Sequence, residues 1–178
     1  NPKGTRMTII DTARLRLRPW RAADAPDLYE LAKDPRIGLA CGWAPHTSIE
    51  DAHQALSTVL SSPETYAVTQ IKGGELVGAI GLRVDNPDVP GVADLGYWIG
   101  SPYWGRGYAT EAGAAIVERA KALGMTMLTL GYFDGNEASR RVAEKLHFSW
   151  IERDDDVEFP LINRHHTLHR MTLQLASR

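Results

Sequence analysis

Apolar and polar residues alternate at several points along this chain. Leu15 and Leu17 stand between Arg14, Arg16 and Arg18, which predicts a half-buried strand over residues 13–19 with the arginines on its solvated face. Asp24-Ala25-Pro26-Asp27 reads as a helix start, with Leu28, Leu31 and Ala32 on one face and Pro35 as the stop. Thr47-Ser48-Ile49-Glu50 reads as a capping box for a second helix that turns Ala52, Leu56, Val59 and Leu60 inward. Residues 66–71 and 76–84 read as two strands joined at Gly73-Gly74, a hairpin signal. Residues 85–91 form a loop, after which Leu95, Tyr97 and Ile99 share one strand face and Gly96 and Trp98 the other. Ala109, Ala112, Ile116, Ala120 and Leu123 then recur at helical spacing. Residues 125–132 predict a buried strand. A helix follows with Ala138, Val142, Ala143 and Leu146 inward, and residues 148–151 and 168–175 close the chain as strands. The order βααβββαβαββ is that of an α+β protein with a mixed sheet.

Composition narrows the class. With 43% hydrophobic and 24% charged residues the chain reads as an ordinary globule, and a net charge of −2 argues against a predominantly basic nucleic-acid binder. The lone Cys41 allows no intrachain disulfide and fits a reduced, cytoplasmic setting. No apolar run is long enough for a membrane span. Asn1 to Arg6 precede Met7, so residues 1–6 read as an expression-tag remnant and 7–178 as one domain.

The chemistry begins where Ser101-Pro102 ends a strand and Gly105 and Gly107 lead into the long helix. Such a start leaves N–H groups unpaired at the positive end of the helix dipole, a site for phosphate. A nucleotide-binding P-loop is excluded because no Gly-Lys-Ser/Thr occurs, and the dinucleotide pattern G-x-G-x-x-G meets Thr110 where its third glycine belongs. A second signal is Asn136-Glu137-Ala138-Ser139 followed by Arg140-Arg141-Val142-Ala143-Glu144-Lys145-Leu146, in which Asn136 is also a natural N-cap.

Trp104-Gly105-Arg106-Gly107-Tyr108-Ala109-Thr110-Glu111-Ala112 resembles the phosphate loop of the Gcn5-related N-acetyltransferase (GNAT) family, in its ribosomal-protein-alanine acetyltransferase branch. That family's loop reads Gln/Arg-x-x-Gly-x-Gly/Ala, and Trp104 follows the branch rather than the general pattern. The Asn136 segment resembles the family's Asn-x-x-Ser-x-(Arg/Lys)-Val-x-x-Lys-Leu-Gly-Phe, except that His147 replaces the glycine. That change predicts a different helix exit, since glycine supplies the left-handed C′ residue.

The resemblance implies the GNAT fold, a strongly twisted mixed sheet flanked by helices, whose fourth and fifth strands part to admit the pantetheine arm. It implies acetyl-CoA as co-substrate with no metal. The pyrophosphate falls to the amides of Gly105, Arg106, Gly107, Tyr108 and Ala109, Trp104 and Thr110 flank them as further cofactor-binding residues, and Asn136 and Ser139 lie beside the thioester. A backbone N–H at Trp98 or Ile99 stabilises the oxyanion. Ser139 is the candidate acid, since Ala143 stands where many members carry a tyrosine. Asp94 is the candidate base, with hydrogen bonding to a neighbouring strand as its structural alternative. The branch also has a Gly-Trp-x-Pro-His-Thr-Ser run near the substrate side, matched by the loop at Trp43, which serves as a substrate wall or as plain packing.

Energetics favours an α-amine as acceptor. A lysine with a pKa of about 10.4 costs about 4 kcal/mol to deprotonate near pH 7.5, whereas an α-amine at about 7.7–8.0 costs under about 1. Cys41 has no neighbouring base to make it a nucleophile. His165, His166 and His169 do not converge simply on a metal, because 165 and 166 face opposite ways in a strand. Glu111 reads as a dipole-stabilising or sheet-contacting residue.

The chain thus reads as an acetyl-CoA-dependent N-acetyltransferase working by direct attack in a ternary complex. Its partner would be an amine-bearing small molecule or a protein N-terminus, with no nucleic acid or membrane, and it would work as a monomer or homodimer. A non-catalytic acyl-CoA-binding or regulatory module is the alternative, and a dinucleotide-dependent oxidoreductase is third.

Overall fold

A computed structural model describes residues 8–84 and 86–175; the proposed tag remnant, 1–6, lies outside them. Eight strands form one sheet in the order β1-β2-β3-β4-β5-β6-β8-β7: β1 (Ile10–Asp11), β2 (Leu15–Pro19), β3 (Thr65–Gln70), β4 (Leu76–Arg83), β5 (Val92–Ile99), β6 (Met127–Phe133), β7 (Ser149–Phe159) and β8 (Arg164–Gln174). Every neighbouring pair is antiparallel except β5 and β6.

The helices α1 (Ala25–Ala32) and α3 (Ile49–Ser57) pack on one face through Leu28, Ala52, Ala67 and Leu76. On the other face, α4 (Tyr108–Ala122) and α5 (Glu137–Lys145) bury Ile116, Ala120, Ala143 and Leu146 against Leu15, Leu17, Ile80 and Leu128. A parallel β5–β6 pair needs a crossover, and α4 supplies it.

Several expectations change. Pro35 stops α1 but also opens α2 (Pro35–Cys41), because Asp34 caps it by accepting the Arg36 N–H at 3.0 Å and proline is welcome at a first helical position. The cap of α3 falls one residue later than the proposed box: Ser48 is the N-cap, and Asp51 holds the Thr47 amide at 2.8 Å. Val59 and Leu123 are exposed, at 66% and 39%, since each lies just past the end of its helix. Ala138 is also exposed. Arg18 is not solvated. Its side chain and that of Asp24 are only 12% and 10% exposed and pair at 2.7 Å. The closing strands run far longer than their apolar patches, because β7 is an edge strand whose middle is almost wholly polar.

His147 corrects the expected helix exit. It adopts φ +70, its N–H donates to the Glu144 carbonyl and the Phe148 N–H to Ala143, both at 3.0 Å. This is the Schellman closure that glycine ordinarily makes, here carried by a side-chain-bearing residue.

Candidate active site

The site grows from one interrupted seam. β5 and β6 pair only at Val92↔Met127, Ala93↔Leu128 and Asp94↔Thr129, after which the strands part. The predicted fourth and fifth strands are these two. Backbone direction alternates along a strand, and the Gly100 N–H donates to Val77 across β4, 2.8 Å away. The amides of Trp98 and Gly96 therefore also face β4, while those of Tyr97 and Ile99 face the gap. Of the two residues proposed to supply an oxyanion N–H, Ile99 aims it at the gap and Trp98 does not.

Beyond the strand, Gly105 and Gly107 take φ +75 and +78, a left-handed geometry costly for other residues. No side chain caps α4, and its first satisfied amide is that of Glu111, on Gly107 O at 3.1 Å. The N–H groups of Tyr108, Ala109 and Thr110 are thus left without intrahelical partners. A Cβ added to Gly105 would meet no protein atom within 4 Å, so the turn presents bare main chain to open space. Trp104 braces it, donating its indole N–H to the Ile99 carbonyl at 2.7 Å. Glu111 holds the first turn to the β1–β2 corner through the Arg14 amide and guanidinium, at 3.0 and 2.7 Å.

Two cavities meet at the gap. One, of about 690 Å³, is lined by all of residues 103–110 and by Tyr97, Trp98, Ile99, Asn136 and Ser139. Arg36, Arg106, Arg141 and Lys145 also line it, and no carboxylate does. The second, of about 990 Å³, runs over the opposite face of the sheet and is lined by Asp94, Glu152 and Asp154 together with Arg83 and Arg170. Cys41, Tyr97, Trp98, Phe133, Asn136 and Ser139 border both. Four cations and bare amides fit a polyphosphate-bearing group such as coenzyme A. The gap offers passage to its arm.

Of the two proposed catalytic residues, Ser139 has its hydroxyl at the junction, since Asn136 caps α5 by accepting the Ser139 N–H at 3.2 Å. Asp94 lies elsewhere. It accepts from the Thr129 hydroxyl at 2.8 Å at the last rung of the seam, lies 3.8 Å from Arg83, and faces only the larger cavity. It stands four positions before Trp98, about 13 Å along a strand.

Tyr97 was not foreseen as a site residue. Its hydroxyl lies 3.1 Å from Ser139 Oγ, and burial raises the phenol above its ordinary range despite that hydrogen bond. Strand alternation placed its ring on the α4–α5 face; only the pairing of β5 with α5 reveals the contact. Arg36 was missed with α2.

Cys41 lies at the exposed end of α2, yet its thiol turns to the Tyr97 carbonyl, 4.0 Å away, and burial pushes it up to about 12. Trp43 stands edge-on to Trp98 at 6.1 Å and lines the larger cavity. The histidines go separate ways. His165 approaches Asp156 at 3.0 Å, His166 stacks on Phe133, and His169 Nε2 lies 2.7 Å from Asp134.

The family model of the acetyltransferase (GNAT) domain matches residues 14–149. This chain is a GNAT-family acetyltransferase. The uncharacterized N-acetyltransferase p20 of Bacillus licheniformis is 26% identical over 129 residues, covering 70% of each chain. Among solved structures, a GNAT-family acetyltransferase from Bacillus anthracis superposes with a TM-score of 0.84 at 19% identity, over 94% of this chain and 98% of that one. RimL, a ribosomal L7/L12 alpha-N-protein acetyltransferase solved with coenzyme A, gives 0.80 at 21% identity, over 94% and 98%. The GNAT fold is thus common to all three, and acetyl-CoA is the co-substrate of this acetyltransferase. Among the described residues no helix is long and apolar enough to cross a membrane, and no group of His, Cys, Asp and Glu could hold a metal.

Proposed function

We propose that this GNAT acetyltransferase moves an acetyl group directly from acetyl-CoA to a primary amine, with both substrates bound together and a protein N-terminal α-amine as the acceptor class. The observation that carries this reading is the contrast between the cavities: four cations and no carboxylate border one, three carboxylates against two arginines the other, and they join at the parted strands. An anionic donor and a cationic acceptor are each met by opposite charge.

Acetyl-CoA supplies an activated acyl group, so no protein nucleophile is needed. Arg36, Arg106, Arg141, Lys145 and the amides of residues 105–110 bind the phosphates. The Ile99 N–H, at the lip of the gap, stabilises negative charge on the carbonyl oxygen. Asp94 holds the incoming ammonium in the acceptor cavity and takes its proton through water, which an α-amine permits because its neutral form costs little. Cys41 stays a protonated thiol, so no acetyl-enzyme forms. The ribosomal-protein alpha-N-acetyltransferase activity of RimL favours an N-terminal acceptor here.

The test is a panel of N-terminal peptides, polyamines and small aliphatic amines, followed by release of free thiol and by initial rates with both substrates varied. Intersecting double-reciprocal lines and preference for peptides are expected. Parallel lines would overturn direct transfer, preference for another amine would overturn the acceptor class, and coenzyme A binding without turnover would point to a regulatory module.

A further inference from the structure

The hydroxyls of Tyr97 and Ser139 come from opposite banks of the gap, one on β5 and the other in the first turn of α5, and meet at 3.1 Å where the two cavities join. Ala143, fully buried beneath α5, leaves no hydroxyl at the position where a tyrosine would otherwise reach in from that helix. A phenol from the facing strand thus enters the same space from the other side.

We propose that Tyr97 and Ser139 together form a thiolate hole, a pair of hydroxyls that solvates the sulfur leaving in acetyl transfer without giving it a proton. Either hydroxyl can donate across the 3.1 Å contact; with Tyr97 donating to Ser139 Oγ, the serine's own hydrogen is left to point at the sulfur. Ser139 is the catalytic residue of the pair and Tyr97 its positioning residue.

Magnitudes weigh against the simpler role of acid. A cysteine thiol titrates near 8.5 and a phenol near 10, so full transfer from a phenol to such a thiolate is uphill by about thirtyfold. Burial raises Tyr97 further, and an aliphatic hydroxyl is a weaker acid still. A hydrogen bond to an anion has no such penalty and is stronger than one between neutral groups. The balance is complete without a donor: the C–S bond breaks with its electron pair kept by sulfur, the N–C bond forms, and the amine's proton leaves by the acceptor side.

The inference rests on coenzyme A binding in the smaller cavity, and the experiment separates the two. Titration calorimetry first measures coenzyme A affinity, and ultraviolet thiolate absorbance of the complex then follows the bound thiol against pH. In the wild type the midpoint is expected about one pH unit below that of free coenzyme A. Ser139→Ala should abolish the shift and Tyr97→Phe should remove at least half of it, with affinity kept within a few-fold in both. Turnover should fall about 10- to 100-fold in Ser139→Ala, and less in Tyr97→Phe. Binding with no shift in the wild type, or a shift that survives both substitutions, overturns the thiolate hole alone. Failure to bind coenzyme A overturns the reading beneath it as well.

Discussion

Arg18 grips the Asp24 carboxylate through two hydrogen bonds of 2.9 and 2.7 Å, joining the end of β2 to the start of α1 with both side chains almost fully buried. Burial works against ionisation of Asp24, but the guanidinium and the Arg21 amide outweigh it and hold the carboxyl below its ordinary value. Removing one partner strands a buried charge, so Arg18→Met is expected to cost about 3 kcal/mol, read as a lower denaturant midpoint. The folded state binds its proton less readily than the unfolded one. The pair's contribution is therefore complete above about pH 4 and lost as pH falls through the depressed folded value. Asp24→Asn should flatten that acid limb.

His147 pays for its left-handed geometry with steric strain. His147→Gly should relieve it while retaining both closing hydrogen bonds, for a net gain of about 0.5–1 kcal/mol after the flexibility of glycine in the unfolded chain is charged against it. Denaturant melts should show a higher midpoint with unchanged slope. His147→Ala should show no gain.

Gly107→Val places a β-branched residue at φ +78 in the phosphate turn and should weaken coenzyme A binding by about 10- to 100-fold. Lys145→Ala removes a single partly solvated cation. A loss of about threefold to tenfold, shrinking as salt is added, is the calorimetric signature expected of it.

Gly96 faces the larger cavity, proposed above to take the acceptor, and a Cβ there would meet nothing within 4 Å. Gly96→Leu is expected to fold, to bind coenzyme A as the wild type does, and to raise the KM for the amine at least tenfold. Wild-type kinetics would show that the acceptor does not cross that part of the sheet.

Much of the architecture was legible because local signals agreed with one another. Leu15 and Leu17 alternate and are fully buried, Gly73-Gly74 does connect two strands, and the glycine turn does precede the long helix. α2 escaped notice because Pro35 carries two meanings, stop and first turn. The middle of β7, Glu152 to Glu158, has no apolar rhythm to read, since its outer edge has no neighbouring strand.

The candidate site divided along the same line. Residues 104–110, Asn136 and Ser139 were visible as contiguous motifs and all line one cavity. The Tyr97–Ser139 contact spans 42 positions and depends on where α5 settles against a parted strand, which no short pattern encodes.

The β5–β6 seam also bears on how the molecule responds mechanically. Three rungs fasten one half of the sheet to the other, with α4 as the long helix bridging them in sequence. An acyl carrier wedged into the cleft, as proposed, would add a second fastening where the first runs out. Saturation should then stiffen the joint and slow amide exchange at Tyr97 and Ile99.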